Sequence, residues 1–194
     1  LPSGELQLFV AAPGAGLDDI YGLAFTPASW PTQGLLVTGD TDSPSAAQWG
    51  LVSDAGVVTA FSNLPGVEGL AVDDSASDGA YVLASRPNGG GYSGDDTVTR
   101  VYSDGGSGGA IVANVPGIHA VTLAPAGPFG AKAYAASWQS QQIFAIESDG
   151  GTTPVVTGLQ LTNYDGNVLA FSPDGKVLLV ADRSANRVVC IEPQ

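Results

Sequence analysis

Positive charge and reactive side chains are scarce in this sequence. Among 194 residues there are six Lys and Arg, one His, one Cys and no Met, against 19 Asp and Glu. The formal charge of −13 and a pI near 4.1 leave no basic surface to neutralise phosphates, which argues against a nucleic-acid partner. The same balance opposes attachment to anionic membranes. No apolar run approaches the roughly 20 residues of a spanning helix, so membrane insertion is not expected either. Cys190 has no second cysteine to pair with, and its apolar surroundings in sequence read as those of a buried, inert thiol. With His119 the sole histidine and no G-x-S-x-G elbow, a Ser-His-Asp triad has little to build on. No phosphate-binding glycine loop or dinucleotide fingerprint occurs, and Asp74–Gly79 lacks the ligand positions of a helix-loop-helix calcium loop.

Helical periodicity is missing as well. No 11-residue run free of Gly and Pro carries apolar residues at i, i+3, i+4 and i+7. The chain nevertheless has material for a core, because 44% of its residues are hydrophobic and only 13% charged, which excludes a disordered chain. The expectation is one all-β domain over residues 1–194. Scarce Lys, abundant Gly, Ser and Thr, and high acidity favour an exported protein, extracellular or periplasmic.

What the sequence does have is a repeat. Ile20–Phe25, Val67–Val72, Ile118–Leu123 and Gly166–Phe171 can be laid over one another, with the second position recurring at intervals of 47, 51 and 48 residues. Such a period matches the roughly 40–50 residues of a four-stranded propeller blade. Each unit continues in the same order. A turn leads to a compact apolar run (Leu35–Val37, Ala80–Leu83, Ala133–Ala135, Val177–Val180), which reads as a strand buried on both faces. A third strand ends in an Asp- and Gly-bearing turn, suited to positive φ, and a fourth strand follows. The last unit stops after its third strand, Arg187–Ile191. At the other end, Leu6–Ala11 has the pattern of a fourth strand. The expected architecture is therefore a β-propeller of four units, its ring closed by the N-terminal strand. Donation of that strand to a neighbouring subunit is the alternative, giving a homo-oligomer.

The final unit, from Gly166-Asn167-Val168 through Ser172-Pro173-Asp174-Gly175 to Ala181-Asp182-Arg183, resembles a blade of the SMP-30/gluconolactonase, NHL and YVTN-like β-propellers. That resemblance implies an extracytoplasmic or cytosolic propeller, either a binding protein or a metal-dependent lactone hydrolase. In the lactonase group, an Asn opening such a blade and an Asp closing its second strand are metal and catalytic residues. The matching positions are Asn167 and Asp182, and Glu68-Gly69 resembles a further ligand-bearing Glu-Gly pair.

The repeat itself points to the same region. In a propeller the first strand of each unit lines the central channel, so the second repeat position sets Tyr21, Glu68, His119 and Asn167 around one mouth. A carboxylate, an imidazole and an amide converging there suit a divalent cation, calcium before manganese or zinc. The ends of the second strands offer another ring, Asp40, Ser85, Ser137 and Asp182. The candidate metal residues are thus Glu68, His119, Asn167 and Asp182, with no catalytic residue assigned. The leading expectation is an exported, non-enzymatic binding or scaffold protein that takes a small molecule or a protein on a propeller face. The rival is a metal-dependent lactonase-type hydrolase.

Overall fold

The computed structural model describes residues 19–40, 48–53, 57–62, 67–74, 81–86, 95–130, 132–162 and 168–193. Every regular element among them is a β-strand, and all pairing is antiparallel. Sheet 1 comprises β1 (Asp19–Phe25), β2 (Leu35–Asp40), β3 (Gln48–Val52) and β4 (Val58–Ser62). Sheet 2 comprises β5 (Gly69–Asp73), β6 (Tyr81–Arg86), β7 (Asp95–Val101) and β8 (Ser107–Pro116). Sheet 3 comprises β9 (Ile118–Leu123), β10 (Ala133–Ser137), β11 (Gln142–Ile146) and β12 (Thr152–Thr157). Sheet 4 has three described strands, β13 (Leu169–Phe171), β14 (Leu178–Asp182) and β15 (Arg187–Ile191). Each sheet is a meander whose strands neighbour one another in chain order. The four sequence units thus fold as four sheets. The expected closing strand, Leu6–Ala11, lies outside the described residues, and no described sheet closes on itself.

The turns follow from local chemistry. After β13, Ser172 Oγ accepts from Val177 N–H at 3.0 Å and donates to Asp174 Oδ1 at 2.7 Å. That hydroxyl, followed by the Lys176 amide, holds the Asp174 carboxyl below its ordinary value. In the glycine-rich run Gly105–Gly109 the chain reverses early, since Ser107–Gly109 already belong to β8. Asp104 Oδ1 takes the Gly106 N–H at 2.7 Å, and Tyr102 N–H bonds to Gly106 O at 3.0 Å, which completes the reversal earlier.

Three apolar layers join the sheets. Leu36 and Trp49 of sheet 1, with Ala24 and Leu51, pack against Leu70, Val72 and Val101 of sheet 2 and Val67 just before it. Ala71, Val98 and Val112 of sheet 2 meet Ile118, Val121, Ala133, Ala135 and Ile146 of sheet 3. The opposite face of sheet 3, with Ala120, Tyr134, Ala136, Ile143 and Ala145, packs on Leu169, Leu178, Val180 and Ile191 of sheet 4. Burial along the second strands reflects position in this stack. Strand β10 is buried at every residue, whereas β14 is exposed at Ala181, on the face of sheet 4 that no described sheet covers.

The same cause corrects the reading of Cys190, which is exposed. In β15 the residues alternate, so Val188 and Cys190 share the outer face while Ile191 is buried. Asp95 and Asp96 begin β7, and Asp96 is buried.

Candidate functional site

The innermost strands carry the candidate positions. Strand β1 lies beside β5, β5 beside β9 and β9 beside β13. Within the sheets Gly22 pairs with Thr38 and Gly69 with Ser85, and Tyr21 and Glu68 stand one residue before those glycines. At Tyr21 the β1–β2 register slips between Ile20 and Gly22. At His119 the β9–β10 register slips in the same way, with Ile118 and Ala120 paired to Ser137 and Ala136. A bulge adds an unpaired residue and re-aims its side chain, and bulges gather where a site needs that.

The approach of sheets 1 and 2 is close at this level. Thr38 Oγ1 donates to Glu68 O at 2.9 Å. A Cβ on Gly22 would stand 2.6 Å from that carbonyl oxygen and 2.7 Å from Thr38 Oγ1, so only glycine lets the two inner strands meet. Tyr21 and Glu68 are half-buried. His119 is 1% exposed, enclosed rather than open to a channel. Its Nδ1 lies 3.3 Å from Gly117 O, which also accepts the Trp138 N–H at 2.9 Å. Gly117 has φ +74°, and a Cβ there would strike Gln139, so the loop that seats the imidazole depends on glycine. Asn167 lies outside the described residues.

Asp182 is placed differently. It is fully buried, with Oδ2 accepting from Arg187 Nε and Nη2, each at 2.8 Å. Its Oδ1 accepts the Gln160 N–H at 2.8 Å. The carboxylate therefore ties the crossover from sheet 3 to the β14–β15 hairpin. Ser137, at the end of β10, does the equivalent job: its Oγ donates to Pro116 O at 2.6 Å and accepts from Ser140 N–H at 3.1 Å. The ring read from second-strand ends is, at these two positions, a set of latches on incoming crossovers. In sheet 1 the residue at the place of Ser85 is Thr38, not Asp40. Sequence reading missed Thr38, although a hydroxyl two residues before Asp40 was visible.

For a cation, these facts divide the candidates. Glu68 and His119 hold matching places on neighbouring strands, but both Asp182 oxygens already face protein donors. Among the described residues no three of His, Cys, Asp and Glu come together as a metal-holding group.

No protein-family description matches the chain, and no curated protein does. Solved structures do. A nutrient-binding protein from Bacteroides thetaiotaomicron is similar at TM-score 0.63 and 14% identity over 90% of this chain and 41% of its own. One from Bacteroides ovatus is similar at TM-score 0.63 and 13% identity, covering 91% and 46%. A structure described as a gluconolactonase is similar at TM-score 0.62 and 16% identity, covering 91% and 59%. The chain thus spans about half the length of these solved structures. They are β-propellers, and the likeness establishes that fold class for the four sheets described above.

Proposed function

We propose that the chain is an exported, non-enzymatic β-propeller module that binds a small polar molecule where its innermost strands begin. The observation that carries this reading is the close approach of the two inner-strand starts that bear Tyr21 and Glu68, where Thr38 Oγ1 donates to the Glu68 carbonyl and Gly22 has no side chain. A phenol and a carboxylate carried by neighbouring strand starts suit a polyhydroxylated or cationic ligand. Similarity to nutrient-binding propellers supports a binding role. In this reading the strand Leu6–Ala11 completes sheet 4 beside β15, supplied by the same chain or by a neighbour.

The test is a melting-temperature screen with monosaccharides, disaccharides and sugar lactones, repeated on Glu68→Gln. A ligand at a hundred times its Kd adds about 2.7 kcal/mol, a rise of roughly 5–10 °C for a domain of this size. The rise should vanish in Glu68→Gln while the unliganded variant melts near the parent. An equal rise in both proteins places the ligand elsewhere.

The second reading, a metal-dependent lactone hydrolase, is favoured by the gluconolactonase likeness. It would draw on Glu68, His119 and Asn167 for a calcium-type ion and loses Asp182, whose charge is matched by Arg187. Calcium should then raise the melting temperature of the parent and not of Glu68→Gln, EDTA should reverse the rise, and acid release from gluconolactone should follow the metal. A calcium-insensitive melt with no acid release removes this reading and leaves the binding module.

A further inference from the structure

Sheets 3 and 4 carry turns of the same build at one end. Ser137 pairs with Gln142 across the β10–β11 turn as Asp182 pairs with Arg187 across the β14–β15 turn. The last turn residue is Gln141 in one, at φ +59°, and Asn186 in the other, at φ +52°. Trp138 and Arg183 therefore hold the same place in neighbouring turns, as do Gln142 and Arg187. Residues 159–161 of the crossover between the sheets are fastened to both turns. Gln141 Nε2 donates to Leu161 O at 2.9 Å, and Gln141 Oε1 accepts the Leu161 N–H at 2.7 Å. The Gln160 N–H reaches Asp182 Oδ1 at 2.8 Å. Gln141 Nε2 also donates to Trp138 O. This braced rim bears the half-buried Trp138 on sheet 3 and the half-exposed Arg187 on sheet 4.

Charge is divided between the two ends of these sheets. Among the described residues, the end that bears the turns carries Arg183 and Arg187 against Asp182 alone. The opposite end carries Glu147, Asp149, Asp174 and Glu192 against Lys132 and Lys176. Asp182 is wholly buried, so the described part of this rim presents positive charge to solvent, in a chain of formal charge −13. Asp182 Oδ2 meets one edge of the Arg187 guanidinium, Nε and Nη2, each at 2.8 Å. In a planar guanidinium the adjoining Nη1–Nη2 edge carries two parallel N–H donors, a fork that fits the two oxygens of a carboxylate. The buried partner holds that fork still before any ligand arrives.

We propose that this rim is a binding site for an organic monocarboxylate, its charged group end-on against Arg187 and its ring towards Trp138. Packed sheets stand about 10 Å apart, a distance that an acid of benzoate's size bridges with its two contacts. The indole offers the ring an apolar partner. The net charge of the chain selects one negative charge over a phosphate or a polyacid, because each further charge is repelled by the whole surface. The site belongs to sheets 3 and 4, apart from Tyr21 and Glu68, and does not depend on the ligand reading above.

Benzoate is the probe. Trp30 and Trp49 are buried between sheets 1 and 2, so Trp138 is the indole whose emission a ligand at this rim should change. Benzoate should change that emission saturably, with benzamide, acetate and inorganic phosphate each binding at least tenfold more weakly. Arg187→Lys keeps a charge beside Asp182 but has no fork, and should weaken benzoate at least tenfold. Lys176→Gln, at the opposite end, should bind like the parent. Where Arg187→Lys folds poorly, the parent still decides, because its Arg187 Nε–H resonance should shift along the same saturation curve. A non-saturating response, equal binding of any of the three competitors, an affinity unchanged in Arg187→Lys, or an Arg187 resonance that stays still would each overturn the proposal.

Discussion

Replacing Arg187 with alanine should lower the unfolding free energy by about 3 kcal/mol, which is roughly a 10 °C fall in melting temperature for a domain of this size. Asp182 has no contact with solvent, and its Oδ2 takes two hydrogen bonds from the Arg187 guanidinium. Without them the buried carboxylate keeps the Gln160 amide N–H at Oδ1 and loses its charged partner. The arginine side chain is about half exposed, so solvent lessens its own desolvation and places the loss near the lower end for broken buried pairs. Asp182→Ala should cost a comparable amount, because it leaves the Gln160 N–H without its acceptor. The double variant should cost much less than the sum, since Arg187 turns to water once its partner is gone. Urea unfolding of the three proteins measures this. A loss below about 0.5 kcal/mol for Arg187→Ala would class the pair with ordinary surface ion pairs. The latch also separates Asp182 from metal chemistry, because EDTA should leave the Arg187→Ala deficit unchanged.

Asp182 shows where sequence reading reached its limit. Its place at the end of a second strand was correct, but its role depends on two partners that the repeat does not announce. Arg187 lies directly across the β14–β15 hairpin, a signal available from the spacing of the strand ends. Gln160 arrives from the preceding crossover, which only the packed structure brings near. The meanders, by contrast, were legible because strand order depends on local turn chemistry and on apolar runs that recur at one period. Cys190 was misread for the opposite reason. Val188-Val189-Cys190-Ile191 is apolar throughout, and such a run looks the same whether one or both faces are covered. Coverage depends on which sheets stand beside it, and no described sheet lies on the outer face of sheet 4. His119 follows the same logic: the period located it on an inner strand, while its enclosure depends on the Gly117–Gln139 turn folding over it.

The largest loss should come from Leu178→Ala, about 3–4 kcal/mol in urea unfolding. Leu178 is fully buried, paired between Phe171 and Ile191, at the boundary of sheets 3 and 4. Above it Phe129, Tyr134 and Phe171 stand edge to face, with centroids 5.1–5.7 Å apart. The three rings hold one another in place, and the Tyr134 hydroxyl bonds to Phe129 O at 3.0 Å, so the boundary has little freedom to collapse into a cavity. Burial also pushes the Tyr134 phenol above its ordinary value, with Lys132 opposing, which keeps that hydroxyl a donor well past neutrality. Leu35 occupies the matching register position in sheet 1, between Phe25 and Val52, but is only half-buried. Leu35→Ala should therefore cost about 1 kcal/mol. The same leucine in the same trio is worth several-fold more where a neighbouring sheet covers it. A Leu35→Ala deficit as large as that of Leu178→Ala would mean that Leu35 is covered as fully as Leu178.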